Sequence, residues 1–347
     1  MLYKKKSRDH GTLGHLFSLL GRLPHANDPK KDLHACLDVL ITIVKGHIIA
    51  AACNELGLRD MDGTLSLASQ LQLGNEAKNR SFIMDLAIKI VDDYLWMPNA
   101  MLNQSISESC DGVYNYTRIL CHCGSLVMEF TNAGKYGDGK RIRGCWKFFL
   151  LHFYKEGRTK YALESLLLQF QLYSLPPTLA HQVQWERFIN TKGGMGNNIS
   201  CDLHNEHVNR IFKEAIGNMG SNFTEHSTTR VARSVTFLDN LANNLDKQCS
   251  VVPDTTAHHT RSSDHDIRQV CNTLCKQQSF TVIPGRYHSN FKSLSTNPLK
   301  SLDWNKMEKW VKAKALQYEK RSGLMREGNV SDEEATDIES DATDDEL

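Results

Sequence analysis

Apolar residues recur along most of this chain at spacings of three and four, the rhythm that gathers them on one face of an α-helix. Residues 33–56 are the densest case and read as a helix apolar nearly all round, stopped by Gly57. Residues 76–97 set Phe82, Ile83, Leu86, Ile90 and Tyr94 on one stripe, closed by Pro98. A third pattern runs over 110–131 through Val113, Tyr116, Leu120, Val127 and Phe130. "CWKFFLLHFYKEG" (145–157) is aromatic and ends in glycine, which predicts a core helix. The next helix, 159–174, stops before Pro176 and Pro177, which cannot continue it. After the glycine-rich turn "KGGMGNN" (192–198) a helix begins near 202. Residues 227–248 then carry Val231, Val235, Leu238, Ala242 and Leu245 as a stripe that calls for a partner helix, in the chain's own core in preference to another chain.

Period-two segments are nearly absent, and "FTVIPG" (280–285) is the one strand-like scrap in a polar stretch from 250 to 300. The fold class that follows is mainly α, a helical globular body. Its expected divisions are a helical domain over 1–250, a polar irregular linker over 251–300, a basic helix within 301–322 and a disordered tail over 323–347.

Charge changes the picture at that tail. Residues 331–347 hold nine acids and no base, so the formal charge of +1 for the whole chain leaves +10 on the rest. A run this acidic and poor in aromatics is expected to be disordered, and a mildly basic body permits nucleic acid as a partner. The charged start "MLYKKKSRDHG" gives no export signal, so the ten cysteines read as reduced thiols and the expected compartment is nuclear or cytoplasmic. The longest apolar run, 37–53, contains Lys45 and His47, which favours a buried helix over a membrane span.

Chemistry-bearing residues cluster in four places. Cys110, Cys121, His122 and Cys123, with Cys145 further on, lack the paired spacing of a zinc knuckle. On a helix the side chains of Cys121 and Cys123 point about 200° apart, which suits buried thiols better than one metal. "CNTLC" (271–275) places two thiols on one helical face, without a second close pair along the chain. "NTKGGMGNN" lacks the GxGxxG and GxxxxGK[ST] spacings and no clear strand precedes it, so a tight turn is expected there. No nucleophile elbow and no HExxH occurs.

The fourth place, "CDLHNEHVNR" (201–210), holds Asp202, His204, Glu206 and His207. With Asp202 as N-cap, a helical projection puts His204, Val208, Ile211, Phe212 and Ala215 on the buried side. Asp202, Glu206, Asn209 and Lys213 fall on the other side, and Arg210 is set to pair with Glu206. His204 and Glu206 diverge by about 160°, so four ligands within this segment cannot meet on one ion. Glu206, with Asp202 one turn earlier, is the residue left to face a metal whose other ligands come from elsewhere. The competing reading is an ordinary solvated helix face.

Three stretches together, "GRTKYALESL" (157–166), "FINTKGGMGNNISCDLHNEHVNR" (188–210) and "GSNFTEHSTTRVARS" (220–234), resemble a large family labelled only as a domain of unknown function. That family is multi-copy in animal and fungal genomes and suspected to be transposon-derived. The resemblance covers roughly residues 8–250. It implies kinship with RNase H-like transposases, in which two aspartates and a late glutamate hold two divalent metals for phosphodiester chemistry. By that analogy Glu206 is the last acidic ligand, Mg²⁺ the cofactor, and residues from about 10 to 185 a helical insertion. The family's upstream Gly-Asp-Gln segment has no counterpart here, and Asp9, the nearest N-terminal acid, lies in no strand. The chain therefore looks like a C-terminal, truncated member. The expected role is non-catalytic binding of DNA, with two rivals: a metal-dependent nuclease or transposase using Glu206 and Asp202, and a protein-interaction scaffold using the 231–245 stripe. Neither a membrane nor a small-molecule cofactor enters these expectations.

Overall fold

The computed structural model describes residues 9–28, 33–63, 76–95, 111–191, 193–249, 263–291, 294 and 298–321. The chain is mainly α, with one two-stranded sheet. The helices are α1 (Leu13–Leu19), α2 (Leu23–Asn27), α3 (Leu33–Glu55), α4 (Glu76–Ile90), α5 (Gly112–Tyr136), α6 (Gly139–Lys155), α7 (Thr159–Ser174) and α8 (Pro177–Trp185). Strands β1 (Phe188–Ile189) and β2 (Ile199–Ser200) follow, and then α9 (Cys201–Gly217), α10 (Glu225–Gln248), α11 (Asp264–Lys276) and α12 (Trp304–Arg321).

The core is built around α3. Ile43, Val44, His47, Ala50, Ala51 and Cys53 are buried on it, Val44 against Gly124 of α5, and α11 packs along it with Val270, Cys271 and Leu274 wholly enclosed. The close approach depends on Gly46: a Cβ there would lie 2.6 Å from Val270 Cγ1. α3 is also the one described helix long and apolar enough to cross a membrane, and here it packs among α4, α5 and α11. His47, in mid-helix, donates from Nδ1 to the Ile43 carbonyl at 2.8 Å, and burial holds its pKa down at about 4. It is a neutral core residue.

Residues 263–291 are the largest departure from the sequence expectation. The sequence predicts part of an irregular linker there, yet they hold a helix packed along α3 and a folded segment beyond it. α11 is short and its exposed positions are polar, so its four buried apolar residues were diluted by Ser, Thr and His on either side. Phe280 packs edge-on against Tyr94, and Phe291 tilts against Tyr116. An ion pair between buried Asp111 and half-buried Arg286 fixes the segment to α5. Asp111, the α5 N-cap, accepts from Val113 N and Tyr114 N and also from Ile283 N and the Arg286 guanidinium. Burial pushes the Asp111 carboxyl up, but the Arg286 guanidinium and these N–H groups outweigh it and hold it below its usual value. Asp9 has a structural post as well, accepting from Ser289 Oγ and Asn290 N.

Other boundaries moved less. α4 continues as a π-helical turn over Val91–Leu95, and Pro98 lies outside the described residues. The helix expected over 110–131 reaches Tyr136, where Gly137 caps it at φ +66°. The aromatic helix starts at Gly139, capped by Asp138, and is a half-buried surface helix in place of the core helix expected. Its rings pair with one another and with α5: Trp146 and Phe149 meet each other and Phe130 of α5 edge to face. α12 docks on this half through Tyr154–Trp310 and Phe170–Tyr318. The proposed tail 323–347 and residues 250–262 lie outside the described residues.

Candidate functional site

The glycine-rich turn is the tip of a hairpin, so a strand does precede it. Phe188 pairs with Ser200 and Ile189 with Ile199. Gly193, Gly194 and Gly196 all take positive φ, between +71° and +80°, which is why glycine fills these positions. Asn190 and Asn197 brace the tip from their side-chain amides to the carbonyls of Gly194 and Gly193, both at 2.7 Å. Asn198 ties the hairpin to α5 through the Lys135 carbonyl.

β2 runs straight into α9, and here the N-cap is Ser200, not Asp202. Its hydroxyl accepts from Leu203 N at 3.3 Å. A hydroxyl two residues earlier fills the capping role because the strand delivers it in extended geometry, φ −66° and ψ 145°, at the first free N–H groups. Asp202 then sits in the first turn, where the helix dipole favours a carboxylate. The projection of the helix holds: His204, Val208, Ile211, Phe212 and Ala215 are the half-buried side, while Asp202, Glu206, Asn209 and Lys213 are exposed. Arg210 pairs with Glu214 at 4.0 Å and contacts His207 Nδ1 at 3.2 Å, in place of the predicted pairing with Glu206. Both i−4 and i+4 partners were carboxylates, and spacing alone does not choose between them. Among the described residues no third His, Cys, Asp or Glu ligand atom groups with Glu206 or Asp202.

A second arrangement was not anticipated. α6 carries Lys140, Arg141, Arg143, Lys147 and Lys155 and no acid. Arg141 is occupied, bonded to Glu129 through Nε at 2.5 Å and to Asn132, and the guanidinium draws the Glu129 carboxyl down. Lys155 lies 3.6 Å from Glu156. Lys140, Arg143 and Lys147, at helical positions i, i+3 and i+7, share one face and line an open depression of about 310 Å³ with Gly144 and Gln184 of α8. Arg143 stacks over the Tyr173 ring at 4.8 Å, which holds its planar group in place. Among the described residues no acid lines the depression. A comparable hollow on α10 includes Glu225 beside Arg230 and Arg233. Three like charges at i, i+3 and i+7 mark one face of α6, while the aromatic density of the same helix predicts a core helix.

The cysteine groups separate. Cys110 lies outside the described residues. Cys121 is buried in the core and Cys123 half-buried; burial pushes the Cys123 thiol up to about 11 and the Cys121 thiol further. His122 contacts the Leu95 carbonyl at 3.0 Å, and burial holds neighbouring His152 down at about 4. The CNTLC pair, by contrast, meets a third thiol, Cys53 of α3.

Among known proteins, the model of a family described as "Family of unknown function (DUF6589)" matches residues 1–259. No curated protein and no solved structure matches the chain.

Proposed function

We propose, for a chain that belongs to the DUF6589 family of unknown function, that it is a transposon-derived protein that binds nucleic acid through the phosphate backbone, without catalysis of its own. The observation that carries this is the acid-free row Lys140, Arg143 and Lys147 beside Gln184. Cations on one rigid helix face, with an amide at their side, suit phosphate oxygens and carry no base-edge reading, so the binding is non-specific in sequence. Arg143 adds a planar fork already held by Tyr173.

The test is fluorescence anisotropy with a labelled DNA duplex across a salt series. Binding at low salt should fall steeply as salt rises, and the combined variant Lys140→Glu, Arg143→Glu, Lys147→Glu should lower both affinity and salt slope. Each phosphate contact removed takes about 0.9 from the log–log slope. Removal of residues 331–347, an acidic competitor for the same face, should tighten binding. No anisotropy change at low salt, or an unaltered slope in the variant, would sink the proposal. Mg²⁺- or Mn²⁺-dependent nicking that Glu206→Gln abolishes would replace it with the enzyme reading.

A further inference from the structure

Three thiols converge where α11 crosses the last turns of α3. Cys53 Sγ lies 4.0 Å from Cys271 Sγ, and Cys271 Sγ lies 3.9 Å from Cys275 Sγ. All three sulfurs fall within 4.8 Å of one another, and among the described residues they are the one such group of His, Cys, Asp or Glu ligand atoms. From this geometry we infer that Cys53, Cys271 and Cys275 form a binding site for a thiophilic divalent ion, best matched by Zn²⁺. A tetrahedral ion with Zn–S bonds of about 2.3 Å separates its sulfurs by about 3.8 Å, close to the 4.0 and 3.9 Å separations of this trio. A disulfide would need about 2.05 Å and would use only two of the three.

The arrangement is fixed before any ion arrives. Cys271 and Cys275 stand at i and i+4 on α11, and the contact of Val270 with Gly46 sets the height of Cys53 against them. Cys53 and Cys271 are buried, whereas Cys275 is only partly so, which leaves a way in from its side. Residues 56–63 wrap over the cluster. The Asp60 carbonyl accepts from the Cys53 thiol at 3.8 Å, Met61 N donates to Asn272 Oδ1 at 3.1 Å, and Arg268 pairs with Asp62. The fourth coordination position falls to oxygen, from Asp60 or water, since among the described residues no histidine joins the group. Three sulfur–metal bonds form as three thiol protons pass to solvent, so uptake releases protons and weakens as pH falls. The ion would clamp α3 to α11, two segments 218 residues apart in sequence.

The experiment uses the full chain, purified without chelator, with metal analysis followed by Co²⁺ titration of the stripped protein. One zinc per chain is expected, with thiolate-to-Co²⁺ charge-transfer absorption in the near ultraviolet saturating at one equivalent. Cys275→Ser, at the least buried of the three positions, should weaken Co²⁺ binding by about 100-fold or more, beyond what losing an outer-shell partner costs. Cys123→Ser and Cys249→Ser should leave it unchanged. Should Cys275→Ser fail to fold, alkylation of the wild-type chain decides: zinc should slow labelling of Cys53, Cys271 and Cys275 and leave exposed Cys249 as the reference. Metal far below one per chain with no Co²⁺ absorption, undiminished binding in Cys275→Ser, zinc-independent labelling of the three thiols, or a Cys53–Cys271 disulfide in the metal-free folded chain would each overturn the assignment.

Discussion

The α3–α11 core and the α9–α10 pair are both helical and both amphipathic, yet they are packed to very different depths. α3 alone contributes seven buried residues, drawn on by α5, α11 and the 279–291 segment. α9 has no buried residue, and Val235 is the buried side chain of α10 among the described positions. Among the described side chains of the stripe expected to find its partner inside the chain, Val235 is buried and Val231 half-buried, whereas Leu238 and Leu245 are each 50% exposed. Periodicity therefore records which face of a helix is apolar, and leaves open whether enough partners arrive to cover it. Of the three stretches that carry the family resemblance, 157–166 opens α7, which buries Ala162, Ser165 and Leu166, whereas 188–210 and 220–234 lie in the thinly packed half. There the hairpin and caps are held by specific hydrogen bonds in place of a deep core.

The sharpest way to break this comparison is at the joint between α5 and the late segment. Asp111→Ala removes the carboxylate that pairs with Arg286, leaving the guanidinium only the Gln277, Gln278 and Thr281 carbonyls, and takes the acceptor from the Ile283 and Tyr114 N–H groups; it should cost about 3–5 kcal/mol in urea unfolding. A cost near zero would mean that residues 283–286 are not part of the core.

A pH series separates the two regions next. His47 titrates near 6.5 when unfolded and at about 4 in the core, so above pH 6.5 it is neutral in both states. Below that the unfolded chain gains a proton that the folded chain refuses, and stability is lost as pH falls from 6.5 through 4. The full shift corresponds to about 3 kcal/mol. His47→Gln should lower the slope in this window, leaving the contributions of His152, also held at about 4, and of His15 and His288, both held below their usual value by burial. Asp111 and Asp9, both held below their usual values, act lower: their contributions are present above the ordinary carboxylate range and vanish as pH falls through the depressed values.

Gly46→Ala forces a methyl to 2.6 Å from Val270, and overpacking of this kind costs about 1–3 kcal/mol. Hydrogen exchange should quicken in α3 and α11 together and leave α9 and α10 unchanged; a change spread evenly over both halves would deny that they are separable. The smallest effect is expected on the exposed stripe. Leu245→Ala should stay within about 0.5 kcal/mol, as for surface sites generally. A larger loss would mean that the stripe is covered by a second chain, which light scattering would reveal.

How legible the protein was depends on the range over which each feature is decided. Helix α7 was readable to the residue, because a proline pair and local periodicity set its ends. The split of α9 into a half-buried histidine side and an exposed acidic side followed from 100° per residue alone. The N-cap was misplaced by two residues, since Ser200 takes the role only because β2 delivers it extended. Arg210 chose Glu214 over Glu206 for reasons that spacing cannot hold.

By itself, then, the sequence determined the helical class, most helix spans, the face each helix turns inward and the uneven distribution of charge. These are local consequences of residue spacing, cap chemistry and side-chain type. Tertiary structure alone decided that residues 263–291 return to complete the core around α3, that Lys140, Arg143 and Lys147 meet Gln184 of another helix, and that Cys53 joins Cys271 and Cys275. Each of these joins segments far apart along the chain, and no pattern within either segment encodes the distance between them.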